Sequence, residues 1–148
     1  MHKETYDKLL ESVRKHEGYR NKVYLDTLNK RTVGVGHLCV EDFWEDNKEY
    51  EESFLMDILQ KDLQNSIDGA ENLCKNLNIS DNAKIIIIEM IFQLGKTGVS
   101  KFRNKWKALA ENPPNYEEAS IQMLDSRWAK QTPNRAKEMA SHMAECVV

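Results

Sequence analysis

Residues 17–37 read Glu17-Gly18-Tyr19-Arg20-Asn21-Lys22-Val23-Tyr24-Leu25-Asp26-Thr27-Leu28-Asn29-Lys30-Arg31-Thr32-Val33-Gly34-Val35-Gly36-His37, and their order decides the fold. Upstream, Tyr6, Leu9, Leu10 and Val13 recur at i, i+3, i+4 and i+7, the stripe of an amphipathic helix that Gly18 stops at Glu17. Lys22 to Asp26 is a short β-like run, Thr27 to Arg31 is polar, and Thr32 to His37 is β-like again. Asn29 tolerates a positive φ, so the two runs are expected to pair as a hairpin.

Helical patterns fill the rest. From about Glu51 to Leu77, residues Leu55, Ile58, Leu59, Leu63, Ile67, Ala70, Leu73 and Leu77 keep helical spacing with no proline, which predicts one long helix able to link two lobes. Ser80 caps a second helix, Asp81 to about Leu94, that is hydrophobic on nearly every side and belongs in the middle of a helical lobe. Gly95 and Gly98 close it, and Phe102, Trp106 and Leu109 mark another helix before Pro113-Pro114. Asn115 with Glu118 resembles a capping box. Thr132-Pro133 is an N-cap with proline at N1, and Ala136, Met139, Ala140, Met143 and Val147 stripe the last helix. The fold class is therefore α+β, mostly helix, with one small sheet near the N-terminus.

The chain has 148 residues, 41% hydrophobic and 30% charged, enough for one domain of two lobes and too few for two large domains. Lys plus Arg number 21 against 24 Asp plus Glu, a net charge of −3, which argues against nucleic acid as a partner. The longest apolar stretch, Ile85 to Phe92, contains Glu89 and falls far short of the roughly 20 residues of a membrane span. Met1 to Thr5 leads into the first helix with neither an apolar h-region nor a cleavage site, so no signal peptide is expected and the chain is read as cytoplasmic after synthesis. Cys39, Cys74 and Cys146 are odd in number, lack CxxC spacing and read as free thiols. His2, His16, His37 and His142 show no ligand spacing, so neither metal nor cofactor is implied.

Glu17 carries the strongest chemical signal. Four residues after Val13 and seven after Leu10, its carboxyl falls on the apolar stripe, where burial disfavours the charged form and a proton is held near neutral pH. Asp26 lies nine residues on, where strand meets turn, a polar setting that keeps a carboxylate ionised. Two carboxyls in unlike surroundings split the acid and base roles of glycoside hydrolysis. Period two along a strand from Thr32 to His37 puts Thr32, Gly34 and Gly36 on one face, a nearly bare ledge for a flat ring with a hydroxyl able to hold a water. His37 ends that strand, and Asp62, on the inner stripe of the long helix, needs a partner. The two are expected to pair, in a structural and not a catalytic role.

Together these residues resemble the T-even phage lysozyme family, the muramidases among the glycoside hydrolases. The likeness rests on Glu17-Gly18, eight residues (18–25) before Asp26, five (27–31) before Thr32, and the run Thr32-Val33-Gly34-Val35-Gly36-His37. Two further blocks carry it, Phe92 to Val99 and Ser126-Arg127-Trp128 with Gln131 to Ala136. The resemblance implies one lysozyme-like catalytic domain over 1–148. Its small α/β lobe would be residues 18–50, its connecting helix about 51–77, and its helical lobe 1–17 with about 78–148. It implies that Glu17 is the general acid and that Asp26 and Thr32 position the attacking water, with inversion. It further implies Arg135 near Glu17, with Gly36, Met90 and Gln93 among the residues lining a saccharide cleft.

The implied substrate is bacterial peptidoglycan, cut at the β-1,4 bond between N-acetylmuramic acid and N-acetylglucosamine during phage-mediated lysis. A monomer without membrane insertion is expected, with a separate membrane-permeabilising protein giving access to the wall. Two alternatives stand beside this: a non-catalytic wall-binding or assembly module, and a lytic transglycosylase. Only 24 residues (38–61) separate His37 from Asp62, which predicts a lower lip of the cleft that is cut back. Val148 follows soon after the last block, without the aromatic-bearing tail such enzymes often add. The charge of −3 predicts weak binding to an anionic wall.

Overall fold

The structure, a computed structural model, describes residues 2–146. Helix α1 (Lys3–Glu17) is followed by strands β1 (Arg20–Leu25), β2 (Arg31–Gly34) and β3 (His37–Leu38), then by helices α2 (Glu52–Leu73) and α3 (Asp81–Leu94). Helices α4 (Lys96–Ser100), α5 (Arg103–Leu109), α6 (Tyr116–Leu124), α7 (Arg127–Gln131) and α8 (Pro133–Ala144) complete it. The strands form an antiparallel sheet in the order β1-β2-β3. This is the expected α+β, mostly helical, lysozyme-like class.

The chain divides between Asn65 and Ser66 into two compact units. The division falls inside α2, and α1 belongs to the N-terminal unit with the sheet.

In the N-terminal unit α1 ends as expected. Gly18 takes φ 72°, and its N–H donates to the Arg14 carbonyl at 2.9 Å. Asn29, at φ 60°, turns the first hairpin. Val33, Trp44 and Leu55 are the buried cluster, flanked by Val23, Cys39, Tyr50, Met56 and Ile58. Trp44 comes from a segment with no periodicity. Its ring meets Tyr50 edge-on at 4.8 Å, and its indole N–H donates to Glu41 Oε1 at 2.7 Å.

The second β-like run departs from the sequence reading. Thr32 to His37 is not one strand: β2 stops at Gly34, and β3 returns antiparallel, with Val33 opposite His37. Gly34 and Gly36 have φ 64° and 67°, a left-handed backbone that glycine enters freely. Two such residues turn the chain, so the alternating ledge of Thr32, Gly34 and Gly36 does not form.

In the C-terminal unit Ser80 caps α3, its Oγ accepting from Ala83 N–H at 3.2 Å, and Ile86 to Ile91 are all buried. Helix α3 touches α4 and α8, while α6 touches α5, α7 and α8. Asn115 Oδ1 accepts from Glu118 N–H at 3.0 Å, but the Glu118 carboxylate accepts from the Gln122 amide, so only half a capping box is built. Thr132 precedes Pro133 as expected, yet its hydroxyl donates to the Trp128 carbonyl at 3.1 Å and does not cap α8. Helix α2 ends at Leu73, four residues before Leu77, where Asn76 and Asn78 favour turn over helix. Gly98 lies inside α4 and not at a helix end. Val147, assigned to the last stripe, lies outside the described residues.

Candidate active site

The end of α1 and the first hairpin present the candidate groups in one unit. Leu9 and Val13 are fully buried, and Glu17, next on their stripe, is half-buried as the helix stops. Its side chain occupies the space over Gly36. A Cβ at that glycine would lie 2.9 Å from Glu17 Oε2 and 3.1 Å from its Cγ. The positive φ at Gly36 and its missing side chain therefore both serve the seat of the carboxylate. What stands over Gly36 is Glu17, not an open ledge.

Asp26 stands where β1 meets the turn. Its Oδ1 accepts from the N–H groups of Leu28 and Lys30, each at 2.8 Å, which holds the hairpin turn. The second carboxylate oxygen has no such bond within the described residues. Thr32 is buried at the first residue pair beyond the turn but one, opposite Tyr24 across the β1–β2 ladder, and its hydroxyl donates to the Lys30 carbonyl at 3.0 Å. A hydroxyl oxygen that donates once still has lone pairs for a water.

Tyr24 links these groups, and the sequence reading passed over it. Its phenol pKa is raised, first by burial and then by the negative charge of Glu17, with Asp26 and Cys39 adding to the shift and Arg20 opposing it. A visible signal existed: period two puts Tyr24 on the same side of the chain as Asp26.

His37 and Asp62 pair as expected, with Nδ1 and Oδ2 2.7 Å apart. The reading missed the other side of the ring, where Nε2 lies 2.8 Å from Glu41 Oε1. The hydrogen bond to Asp62 is the largest cause of a His37 pKa raised to about 9, against an opposing effect of burial, with Glu41 adding to the rise. Between two carboxylates the imidazole is a cation at neutral pH.

The other predicted residues belong to the C-terminal unit. Gln93 Oε1 accepts from the Trp128 indole N–H at 3.1 Å, and its amide donates to Thr132 Oγ1 at 3.4 Å, so one side chain joins α3 to α7 and to the start of α8. Arg135 is half-buried on α8. Met90 does not fit a role lining a cleft: it is fully buried, because α3 is apolar around its circumference, and its sulfur faces the Lys105 amine at 3.9 Å. The three cysteines are free. No described helix is long and apolar enough to cross a membrane.

A family model described as phage lysozyme matches residues 14–142, a span that takes in the end of α1, the whole sheet and most of α8. The chain belongs to the phage lysozyme family. Family membership makes it a lysozyme-type glycoside hydrolase. Two Dictyostelium discoideum proteins, probable T4-type lysozymes 2 and 1, are 27% and 29% identical, each alignment covering 84% of this chain and 86% of the relative. A peptidoglycan hydrolase, gp36 of Pseudomonas phage phiKMV, is 27% identical over 86% of this chain but only 14% of its own length. Phage lysozyme sequences thus occur both as chains of this size and as parts of much larger proteins.

Proposed function

We propose that this phage lysozyme hydrolyses peptidoglycan at the β-1,4 bond between N-acetylmuramic acid and N-acetylglucosamine, with inversion. The observation that carries the reading is the seat of Glu17, a carboxyl at a helix end lodged over a left-handed glycine, with Asp26 and Thr32 on the adjoining hairpin. Glu17 gives its proton to the glycosidic oxygen as the bond lengthens. Asp26, through the carboxylate oxygen its turn does not use, takes a proton from water, and the Thr32 oxygen helps to hold that water. An ionised base and a protonated acid in different surroundings is the division of labour that such hydrolysis needs.

The enzyme acts as a monomer, and a separate membrane-permeabilising protein lets it reach the wall. Its net charge of −3 gives no general attraction to an anionic glycan, so recognition falls to the site itself. Gln93 and Arg135 are proposed to flank the bound saccharide.

Replacement of Glu17 by Gln keeps the shape and removes the transferable proton. The expected result is loss of clearing of outer-membrane-stripped cells by a variant that melts like the wild type. Retained clearing rejects the assignment. Mass spectrometry of the wild-type products tests the outcome: fragments with a reducing end support hydrolysis, and fragments lighter by one water indicate transglycosylation.

A further inference from the structure

Within the N-terminal unit Tyr24 stands where the proposed acid and base meet. It lies two residues before Asp26 on β1 and directly opposite Thr32 on β2. Glu17 and Asp26 both act on its phenol electrostatically. The Arg20 guanidinium lies over its ring, 4.6 Å from the centroid. The side chain is half-buried, yet no described residue accepts or donates a hydrogen bond at its hydroxyl. The hydroxyl is not closed off from solvent, so water meets it in the free enzyme and a ligand can take the place of that water.

We propose that Tyr24 is a further saccharide-contacting residue, its hydroxyl donating to a sugar oxygen held beside Glu17 and Asp26. Among the charged and titratable groups acting on it, Glu17, Asp26 and Cys39 oppose its ionisation and only Arg20 favours it. The phenol therefore keeps its proton and remains a donor at neutral pH. A neutral donor suits this place. A lysine or arginine there would pair with the two carboxylates and hold Glu17 ionised, which removes the acid, whereas a phenol gives a directed bond to the sugar without neutralising either group. The inference rests on the reading of Glu17 and Asp26 given above.

Tyr24→Phe keeps the ring, the strand and the Arg20 contact while deleting the donor. On peptidoglycan fragments its kcat/KM is expected to fall about tenfold or more, the value of one hydrogen bond made to a reacting substrate. Its melting temperature should not move. A second chain carries 3,5-difluorotyrosine at position 24, whose phenol loses its proton at lower pH. The ratio of its activity to that of the wild type is expected to fall as pH rises through the range where its phenol ionises; the ratio cancels the loss of the Glu17 proton common to both chains, and a purely structural ring would leave it flat. Should Tyr24→Phe fail to fold, the fluorinated chain reads the same hydroxyl. Full activity in Tyr24→Phe, or an activity ratio of the fluorinated chain to the wild type that does not change with pH, overturns the inference. Both are measured beside the wild type and Glu17→Gln. An inactive wild type, or an active Glu17→Gln, would instead break the reading on which this one stands.

Discussion

The Glu17 carboxylate occupies the volume that any side chain at position 36 would need, with Oε2 2.9 Å from where the Gly36 Cβ would be. Two requirements meet at this glycine, because its φ of 67° is also one that side chains resist. Gly36→Ala should therefore cost about 1 kcal/mol or more in backbone strain, and in addition push the carboxylate from its seat. The expected result is a modest drop in melting temperature with at least a tenfold loss of wall clearing. An alanine variant of full activity would show that the seat of Glu17 does not matter to the reaction.

Asp26 allows the turn and the chemistry to be separated. An asparagine keeps the Oδ1 acceptor for Leu28 and Lys30 but removes the negative charge. An alanine removes both. Asp26→Asn is expected to fold with nearly wild-type stability and lose most activity, while Asp26→Ala should lose a further 1 to 2 kcal/mol or so in denaturant unfolding. Equal stability of the two variants would mean that the turn does not need its acceptor.

The His37 pair fixes a pH dependence. A folded pKa of about 9 against 6.5 in the unfolded chain means that the folded state binds the proton more tightly. The stabilisation is complete below about 6.5 and is lost as pH rises through about 9. Asp62→Asn should lower the His37 pKa, read from its ring protons by NMR, and flatten this part of the stability curve. Glu41 limits the change. Although burial raises its pKa, bonds from His37 and Trp44 leave it below its usual value, so one carboxylate stays beside the ring. An unmoved His37 titration in Asp62→Asn would reject the pairing as its cause.

What the sequence made legible was whatever depends on near neighbours. Gly18 stops α1 at Glu17, Asn29 turns the hairpin, and Ser80 caps α3, each through one local conformation or bond. The His37–Asp62 pair was legible because an Asp on an apolar stripe demands a partner. The run Thr32 to His37 misled, since glycines at alternate positions fit a bare strand face and a left-handed turn equally, and period two does not encode the sign of φ. Helices α4 and α7, five residues each, are too short to show a stripe. Trp44 is buried from a segment that has no period at all. The seat of Glu17 over Gly36 lies nineteen positions apart in sequence and appears only when the hairpin folds back.

Lys105 was invisible for a different reason: a lysine in a helix ordinarily reads as a solvent face, yet this one is fully buried. Its amine lies 3.9 Å from Met90 Sδ, 4.2 Å from the Trp106 ring centroid and 5.0 Å from that of Phe102. Burial lowers its pKa to about 7, with only Cys74 acting the other way. Between about 7 and 10.5 the unfolded chain binds a proton that the folded chain does not, so stability rises with pH across that window. This opposes the His37 effect where the windows overlap, and single variants are needed to separate them. Lys105→Met fills similar space without a charge to desolvate, beside sulfur and rings that suit it. It should stabilise the enzyme by roughly 2 to 4 kcal/mol at pH 6 and by much less at pH 10, read from urea unfolding at both values. A variant no more stable than the wild type at pH 6 would mean that the ring faces compensate the buried ammonium in full.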